Sequence, residues 1–568
     1  MPKKNDFLVA AASIALACWV TSGFLVDPNG RASLVNSGDQ ALFEWLLSYG
    51  AYAVTHGADP LFTHLLNVPD GVNLAVNTSI TVYSVVLSPL TMWLGAPVTF
   101  LIILTFNLAA TAFAWYWLFN RFLGASPVAA ALGGLFCGFA PAMISHANAH
   151  LNWTAQWLVP LIIAEVIQLY RGARWLSHGL ILGALVAACF SIAAEALFFS
   201  ALALAVFSIF WVLAKRPPIG NVLKGLAAAA AVAALFLAYP LWLHFAGPQR
   251  YHGTGFDPRV HNEDLAAYGV WPERSIAGWL NLNTDLAPNP TEENSFFGLP
   301  LLFLVIIAFV LLWKRTEVKG LALTAGLFIV LSLGPELKLF GKHTGIWMPE
   351  ALLSKMPIFN AALPSRLALV VAPIFGLLLA WLFDSVSRKR LWIPAFALAL
   401  IPLLPLPILT RDREPVPHFI TSGHWQSYVT ENGVIAPIPL PNDLVPDGQR
   451  WQAYAFAHQG HTFRIPSGFF LGPGGPDGTG RIGPTPRPTA ELLESVAKTG
   501  VVPHLTFADR ARAREDLAYW NVEIVLLADT VNGAHWDPNQ PALLKATTDL
   551  LGPPTRVDDM WLWQITPS

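Results

Sequence analysis

Charge is the scarcest thing in this sequence. Only 12% of its 568 residues are Asp, Glu, Lys or Arg, where soluble domains carry about 25%. That excludes one large soluble core. There is no basic excess either. The formal net charge is −2, which argues against a nucleic-acid partner. Cysteine is nearly absent. Cys18, Cys137 and Cys189 lie far apart in apolar runs and form no redox or metal-binding spacing. No phosphate-loop spacing, no H-E-x-x-H and no serine–histidine nucleophile pattern occurs.

Apolar residues fill the space, at 54% of the chain. "MPKKN" precedes a first run from Phe7 to Val26. It is longer than a signal-peptide core; "ALAC", Ala15 to Cys18, resembles a lipoprotein signal, but Ala15 stands where Leu is expected and more spans follow, so the run reads as a retained transmembrane helix. Further runs, each near the roughly 20 residues a helix needs to cross, lie near 80–97, 99–120, 126–144, 153–170, 177–192, 194–214, 222–245, 297–313, 319–334, 365–384 and 390–409. The pattern is that of a polytopic helical bundle. After about 415 the chain turns polar and rich in Pro and Gly.

Basic residues orient the bundle. Lys3 and Lys4, Arg171 and Arg174, Lys215 and Arg216, Lys314, Arg315 and Lys319, and Arg388, Lys389 and Arg390 mark the cytoplasmic side. Loops 27–79, 144–153, 246–296 and 335–364 then face out, as does the C-terminal region after a crossing at 390–409. Twelve full crossings would end on the wrong side. The parity is restored if one run in 80–120 does not cross, and 80–97 is the candidate, because "SPLTMWLGAP" holds two prolines and a glycine. The expected total is 11 to 13 helices.

The first outer loop carries two acids, Asp39 and Glu44, in "NSGDQALFEW". Apolar residues at Leu42, Phe43, Leu46, Leu47 and Tyr52 suggest an amphipathic helix lying in the interface, with Gly57 as its end. Asp39 stands where such a helix begins, so a capping role stays open beside a chemical one. Glu44 reads as a residue of the polar face, with a second acid of the site as the other reading.

An N-terminal helix, a large outer loop with an acid near its start, many further helices and an outer C-terminal domain together resemble the GT-C superfamily. These are membrane glycosyltransferases that use polyprenyl-phosphate sugars. The loop "GDQALFEW … ADPLFTHLLNVPDGVNLAVNTS" resembles loops in bacterial, especially actinobacterial, members of this class. The resemblance implies a GT-C-like transmembrane domain over 1–414, with long outer loops at 27–79 and 246–296, and an extracytoplasmic α/β domain over 415–568. It implies a multi-pass plasma-membrane enzyme with its active site on the extracytoplasmic side. The donor would be a polyprenyl-phosphate sugar, and the acceptor a cell-envelope glycan, lipid or protein. Many members carry two adjacent acids. Here Asp39 is followed by Gln40, which leaves one acid to act as base on the acceptor hydroxyl. A divalent cation is compatible with the class but required by no motif.

Substrate-binding candidates follow on the outer side. Arg366 in "LPSRLAL" opens a helix from the outside and suits a phosphate; interfacial snorkelling is the other reading. Arg250 and Arg274, with His261 and Trp271 nearby in sequence, suit a sugar-phosphate pocket or any folded loop. His146 and His150 are four apart, a spacing that a helix places on one face, and Asn148 lies between them. They serve as polar contacts, a metal pair or a simple turn. Glu195 sits between two apolar runs, where a carboxylate is costly and often functional; if 177–214 is a hairpin it lies at the outer tip. Glu292 and Glu293 precede an inward-going helix and either cap it or meet an acceptor. In the tail, "GVIAPIPLP", "VEIVLLA" and "MWLWQI" read as strands. Residues 489–499, 505–519 and 541–551 read as helices, and 469–488 as a flexible loop. A flippase for lipid-linked glycans or a noncatalytic envelope-assembly protein are the rival classes. A flippase predicts an internal repeat and ionisable residues deep in the helices, and neither is evident.

Overall fold

The computed structural model describes residues 4–172, 174–459 and 461–565; Lys3, used above for orientation, lies outside them. The chain forms two compact units that do not follow chain order. One comprises Met1–Gly23, Ile102–Ala238 and Phe256–Ile408; the other comprises Phe24–Leu101, Tyr239–Gly255 and Leu409–Ser568.

The first unit is helical. Among the described residues, the helices Ala96–Arg121, Trp175–Lys215, Gly220–Ala246 and Pro364–Ser385 are long and apolar enough to cross a membrane, and Pro127–Phe139, Leu158–Tyr170 and Leu299–Leu312 are apolar but shorter. The breaks have local causes. Ala140 is extended ahead of Pro141, as residues before proline prefer, so the run 126–144 becomes Pro127–Phe139 and Pro141–His146. The runs 177–192 and 194–214 are joined in one helix, Trp175–Lys215, broken at Ala193 by a non-helical backbone. The last apolar run gives a helix of 12 residues, Lys389–Leu400, before Pro402, Pro405 and Pro407 end it. Helices Trp175–Lys215 and Gly220–Ala246 leave most of their apolar surface uncovered, while Pro364–Ser385 is largely buried.

Charge sorts to one end of this unit. Arg121 pairs with Asp6 at 2.8 Å, Arg171 donates to Phe122 O at 2.7 Å, and Trp381 donates to Leu123 O while the Arg315 guanidinium lies over its ring. Ser126 donates to Asp384, which faces Lys389 at 3.9 Å. Arg366 opens the helix whose far end holds Asp384, roughly 30 Å away at helical rise, near the thickness of a bilayer core. Arg121, Arg171, Arg315 and Lys389 therefore gather at one end of this unit.

The second unit is built on the helix Ser37–His56, which Gly57 ends in a left-handed conformation, φ 66°. The helix is not amphipathic in the sense expected. It is buried on nearly every side, with Phe43, Trp45 and Leu47 almost inaccessible. It packs on Asp447–Gln459, Thr81–Val86 and Ser88–Leu94. The last two are the run 80–97, split into pieces of 6 and 7 residues, too short to cross at 1.5 Å per residue. Gly50 lets Ser84 approach, since a Cβ there would collide with it. Trp45 Nε1 donates to Gln452 Oε1 at 2.7 Å.

The C-terminal sheet has four strands in the order Thr555–Val557, Met560–Gln564, Val522–Ala528 and Val434–Pro437, with only the last pair parallel. Helices Pro488–Thr499, Phe507–Tyr519 and Gln540–Leu551 match the expected segments. Helix Asp447–Gln459 did not stand out in the sequence. Residues 469–488 contain a hairpin, Leu471–Pro473 with Gly480–Ile482, rather than a loop without structure. Asn77 pins it by both accepting from and donating to the Leu471 backbone.

Candidate functional site

Asp39 lies in the second unit, half-buried in the first turn of Ser37–His56. The N-cap is Asn36, not Asp39: the Asn36 side chain accepts from the Asp39 N–H at 3.4 Å and donates to Asp39 Oδ2 at 2.7 Å. A carboxylate in a first turn is favoured by the helix dipole. Gly38 admits the backbone of Asp443, which a Cβ would strike. Burial raises the Asp443 carboxyl, and the charge of Asp39 raises it further. The sequence pointed to no second acid here, because Asp443 comes from some 400 positions downstream.

Gln40 explains the missing acidic pair. It is buried; its Oε1 accepts from Ser33 N–H at 2.8 Å and its Nε2 donates to Glu44 Oε1 at 2.8 Å. A carboxylate there would face both an N–H it could accept from and a buried carboxylate it could not. Glu44 is no polar-face residue. It is buried in an ion pair with Arg413, at 2.8 Å, and helps hold the pairing of Arg31–Ser33 with Thr410–Asp412.

The other candidates, Arg250 excepted, belong to the first unit. Helix Pro141–His146 ends, Ala149 takes a left-handed backbone with φ 74°, and Leu151–Thr154 begins. This turn, rather than one continuous helix, brings His146 Nδ1 and His150 Nδ1 to 2.8 Å. His146 is buried and stacks on Trp153. Asn148, also buried, donates to Ser145 O at 3.1 Å. The Arg366 guanidinium lies over the same Trp153 ring, 5.2 Å from its centroid.

Arg366 is clamped between two carboxylates. Its Nε and Nη2 donate to Glu292 Oε1 at 2.9 and 2.6 Å, and its Nη1 donates to Glu195 Oε2 at 3.1 Å. Glu195 follows the break at Ala193 and also accepts from Leu363 N–H. Glu292 Oε2 accepts from Asn294 Nδ2 at 2.9 Å. Burial alone would raise the Glu292 carboxyl, but the Arg366 guanidinium beside it brings it well below the usual range. Burial pushes the His146 imidazole well down, against the pull of Glu292, so it is neutral at pH 7. His261 is also lowered by burial; its carbonyl accepts from Ser365 N–H and so fixes the start of the Arg366 helix.

Neither Glu292 nor Glu293 caps the helix that follows, which begins only at Leu299. Glu293 accepts from the Glu273 N–H at 2.9 Å and is raised to about 7, chiefly by burial. Arg274 donates to Pro407 O, in the same unit. Arg250 is exposed and belongs to the second unit, so the 246–296 loop is divided. Sequence reading missed Glu263, wholly buried and accepting from Ser295 at 2.6 Å, with its carboxyl pushed far up by burial. Arg259, His261, Asn262 and Asp264 beside it are polar as well, so nothing local set it apart. Among the described residues one group has metal-ligand geometry: His146, His150 and Glu292 offer atoms that all lie within 4.8 Å of one another.

The family model described as "Domain of unknown function (DUF6311)" matches residues 10–404. No curated protein matches the sequence. Among solved structures the chain is similar to the oligosaccharyltransferase of Archaeoglobus fulgidus. In its complex with Zn and sulfate, the TM-score is 0.52 at 12% identity, over 92% of this chain and 68% of that one. In the apo form the values are 0.50, 11%, 92% and 69%. The arabinofuranosyltransferase AftD of Mycobacteria gives 0.48 at 14% identity over 94% of this chain. This chain spans 37% of that protein's length. The fold is therefore shared with that archaeal oligosaccharyltransferase.

Proposed function

The chain belongs to the DUF6311 family, and from that premise we propose that it is a membrane glycosyltransferase which moves a sugar from a polyprenyl-phosphate donor to a cell-envelope glycan, lipid or protein on the extracytoplasmic face. The observation that carries this reading is the fold held in common with the archaeal oligosaccharyltransferase. The placement of Asp39 in the first turn of a buried helix, where its carboxylate is held by one neighbouring amide, supports a role for it.

Asp39 acts as general base in this reading. It takes the proton from the acceptor hydroxyl as that oxygen attacks the anomeric carbon, and the lipid phosphate leaves with the bonding electron pair. Substrate contacts are assigned to His146, His150, Asn148, Glu195 and Arg366, which lie together, and also to Arg250, Arg274 and Glu293.

The test is transfer by the full chain in lipid nanodiscs, offered polyprenyl-phosphate hexoses and pentoses with radiolabelled sugar. Transfer that Asp39→Asn abolishes is the expected result. Full transfer by that variant removes Asp39 from the base role. Passage of the labelled lipid between leaflets with no sugar transferred replaces the enzyme by a flippase.

A further inference from the structure

The cluster around Arg366 is short of positive charge. Two carboxylates, Glu195 and Glu292, share one guanidinium, and the imidazole beside them, His146, is buried at 0% exposure. Burying an uncompensated negative charge is costly. A second oddity concerns hydrogen bonding. His146 Nε2 and Asn294 Oδ1 are both buried without a hydrogen-bond partner, yet Asn294 is a neighbour whose side chain bears on that imidazole. Asn294 gives one N–H to Glu292 and its oxygen is left without a partner, so that oxygen is the acceptor on hand for an Nε2–H, the tautomer that leaves the Nδ1 lone pair for a ligand.

Together these features describe a ligand set held by its surroundings. Metal-bound histidines take their orientation from a partner on the other ring nitrogen, and Asn294 serves His146 and Glu292 at once. We infer that His146 Nδ1, His150 Nδ1 and Glu292 bind a divalent transition-metal cation, zinc above all, since two imidazoles and a carboxylate suit such ions. The two nitrogens need little movement: Zn–N bonds of about 2.05 Å at a tetrahedral angle put them about 3.3 Å apart, against 2.8 Å here. Arg366 does not forbid the ion, because the two carboxylates outnumber it. The bound ion turns a cluster of formal charge −1 into one of +1, and three protein ligands leave a coordination position for an anionic oxygen. That this oxygen belongs to a donor phosphate rests on the glycosyl-transfer reading; the metal site does not.

Binding is therefore measured without donor. The full chain in nanodiscs, stripped by a chelator, is titrated with Zn²⁺ alone by calorimetry, and with Cu²⁺ alone by electron paramagnetic resonance. One Zn²⁺ per chain is expected. Asn294→Ala weakens it about 10–100-fold, and His150→Ala weakens it more. The Cu²⁺ spectrum of the unmutated chain shows coupling to two nitrogens, a readout that needs no variant to fold. No stoichiometric binding, equal binding by His150→Ala, or a spectrum without two nitrogens overturns the site. Zinc bound but no sugar moved unseats the glycosyltransferase alone; sugar moved without a metal site unseats only this inference.

Discussion

The Asp39 turn and the Arg366 cluster are both polar islands in an apolar chain, and they are made in opposite ways. Asp39 is held by Asn36, three positions away. Arg366 is held by Glu292 and Glu195, 74 and 171 positions away. The first owes its geometry to a helix start, which sequence writes locally. The second exists only because a broken helix, a loop and a new helix converge. The difference teaches that a chemical role and a structural role need not fall to neighbouring acids in the same way. Asp39 is held by a residue of its own helix start. Glu292 is buried and must be neutralised whatever else it does.

That contrast can be broken by substitution. Asp39→Asn keeps the shape and removes the base. Transfer is expected to fall by about 10²–10⁴, the usual weight of general-base catalysis, while the melting temperature changes little. Glu292→Gln does the reverse. It weakens the two charged hydrogen bonds that Glu292 accepts from Arg366, and is expected to cost about 1.5–3 kcal/mol, read by chemical denaturation in the presence of a chelator. If Asp39→Asn destabilises the chain as much as Glu292→Gln, the distinction between the two regions fails.

Glu293 sharpens it through pH. Its folded value of about 7 lies above the ordinary 4.5, so the folded chain holds a proton that the unfolded chain releases. The stability tied to that proton is complete below 4.5 and is lost as pH rises through about 7. Glu293→Gln keeps an oxygen for the Glu273 N–H. It should therefore gain on the unmutated chain between pH 5 and pH 8, on the order of 1–3 kcal/mol, in denaturation curves at the two values. The smallest effect is expected at Asn36→Ala, about 1 kcal/mol for a lost N-cap. A larger drop in transfer than in stability there means that Asn36 also orients Asp39.

Much of this was legible. The position of Gly57 as a helix end, the failure of 80–97 to form one long helix and the three strands and three helices of the tail all follow from local propensity and turn chemistry. The grouping of Arg121, Arg171, Arg315 and Lys389 at one end follows from their costs in an apolar medium. Burial was misread. The helix Ser37–His56 has an apolar stripe, yet Glu44 on its other face is also buried, because Arg413 arrives from the far end of the chain to neutralise it. Gln40 read as a departure from a family pattern, and its reason appeared only with Ser33 and Glu44 around it.

By itself the sequence determined where the chain is apolar, where it breaks and which end of each helix carries cations, since these depend on residues a few positions apart and on the transfer of side chains from water. Only the tertiary structure decided which charges meet. His146, Glu195, Glu292 and Arg366 each stand alone in the sequence, and a buried charge is tolerable only beside its partner. That partner is chosen by packing, not by spacing.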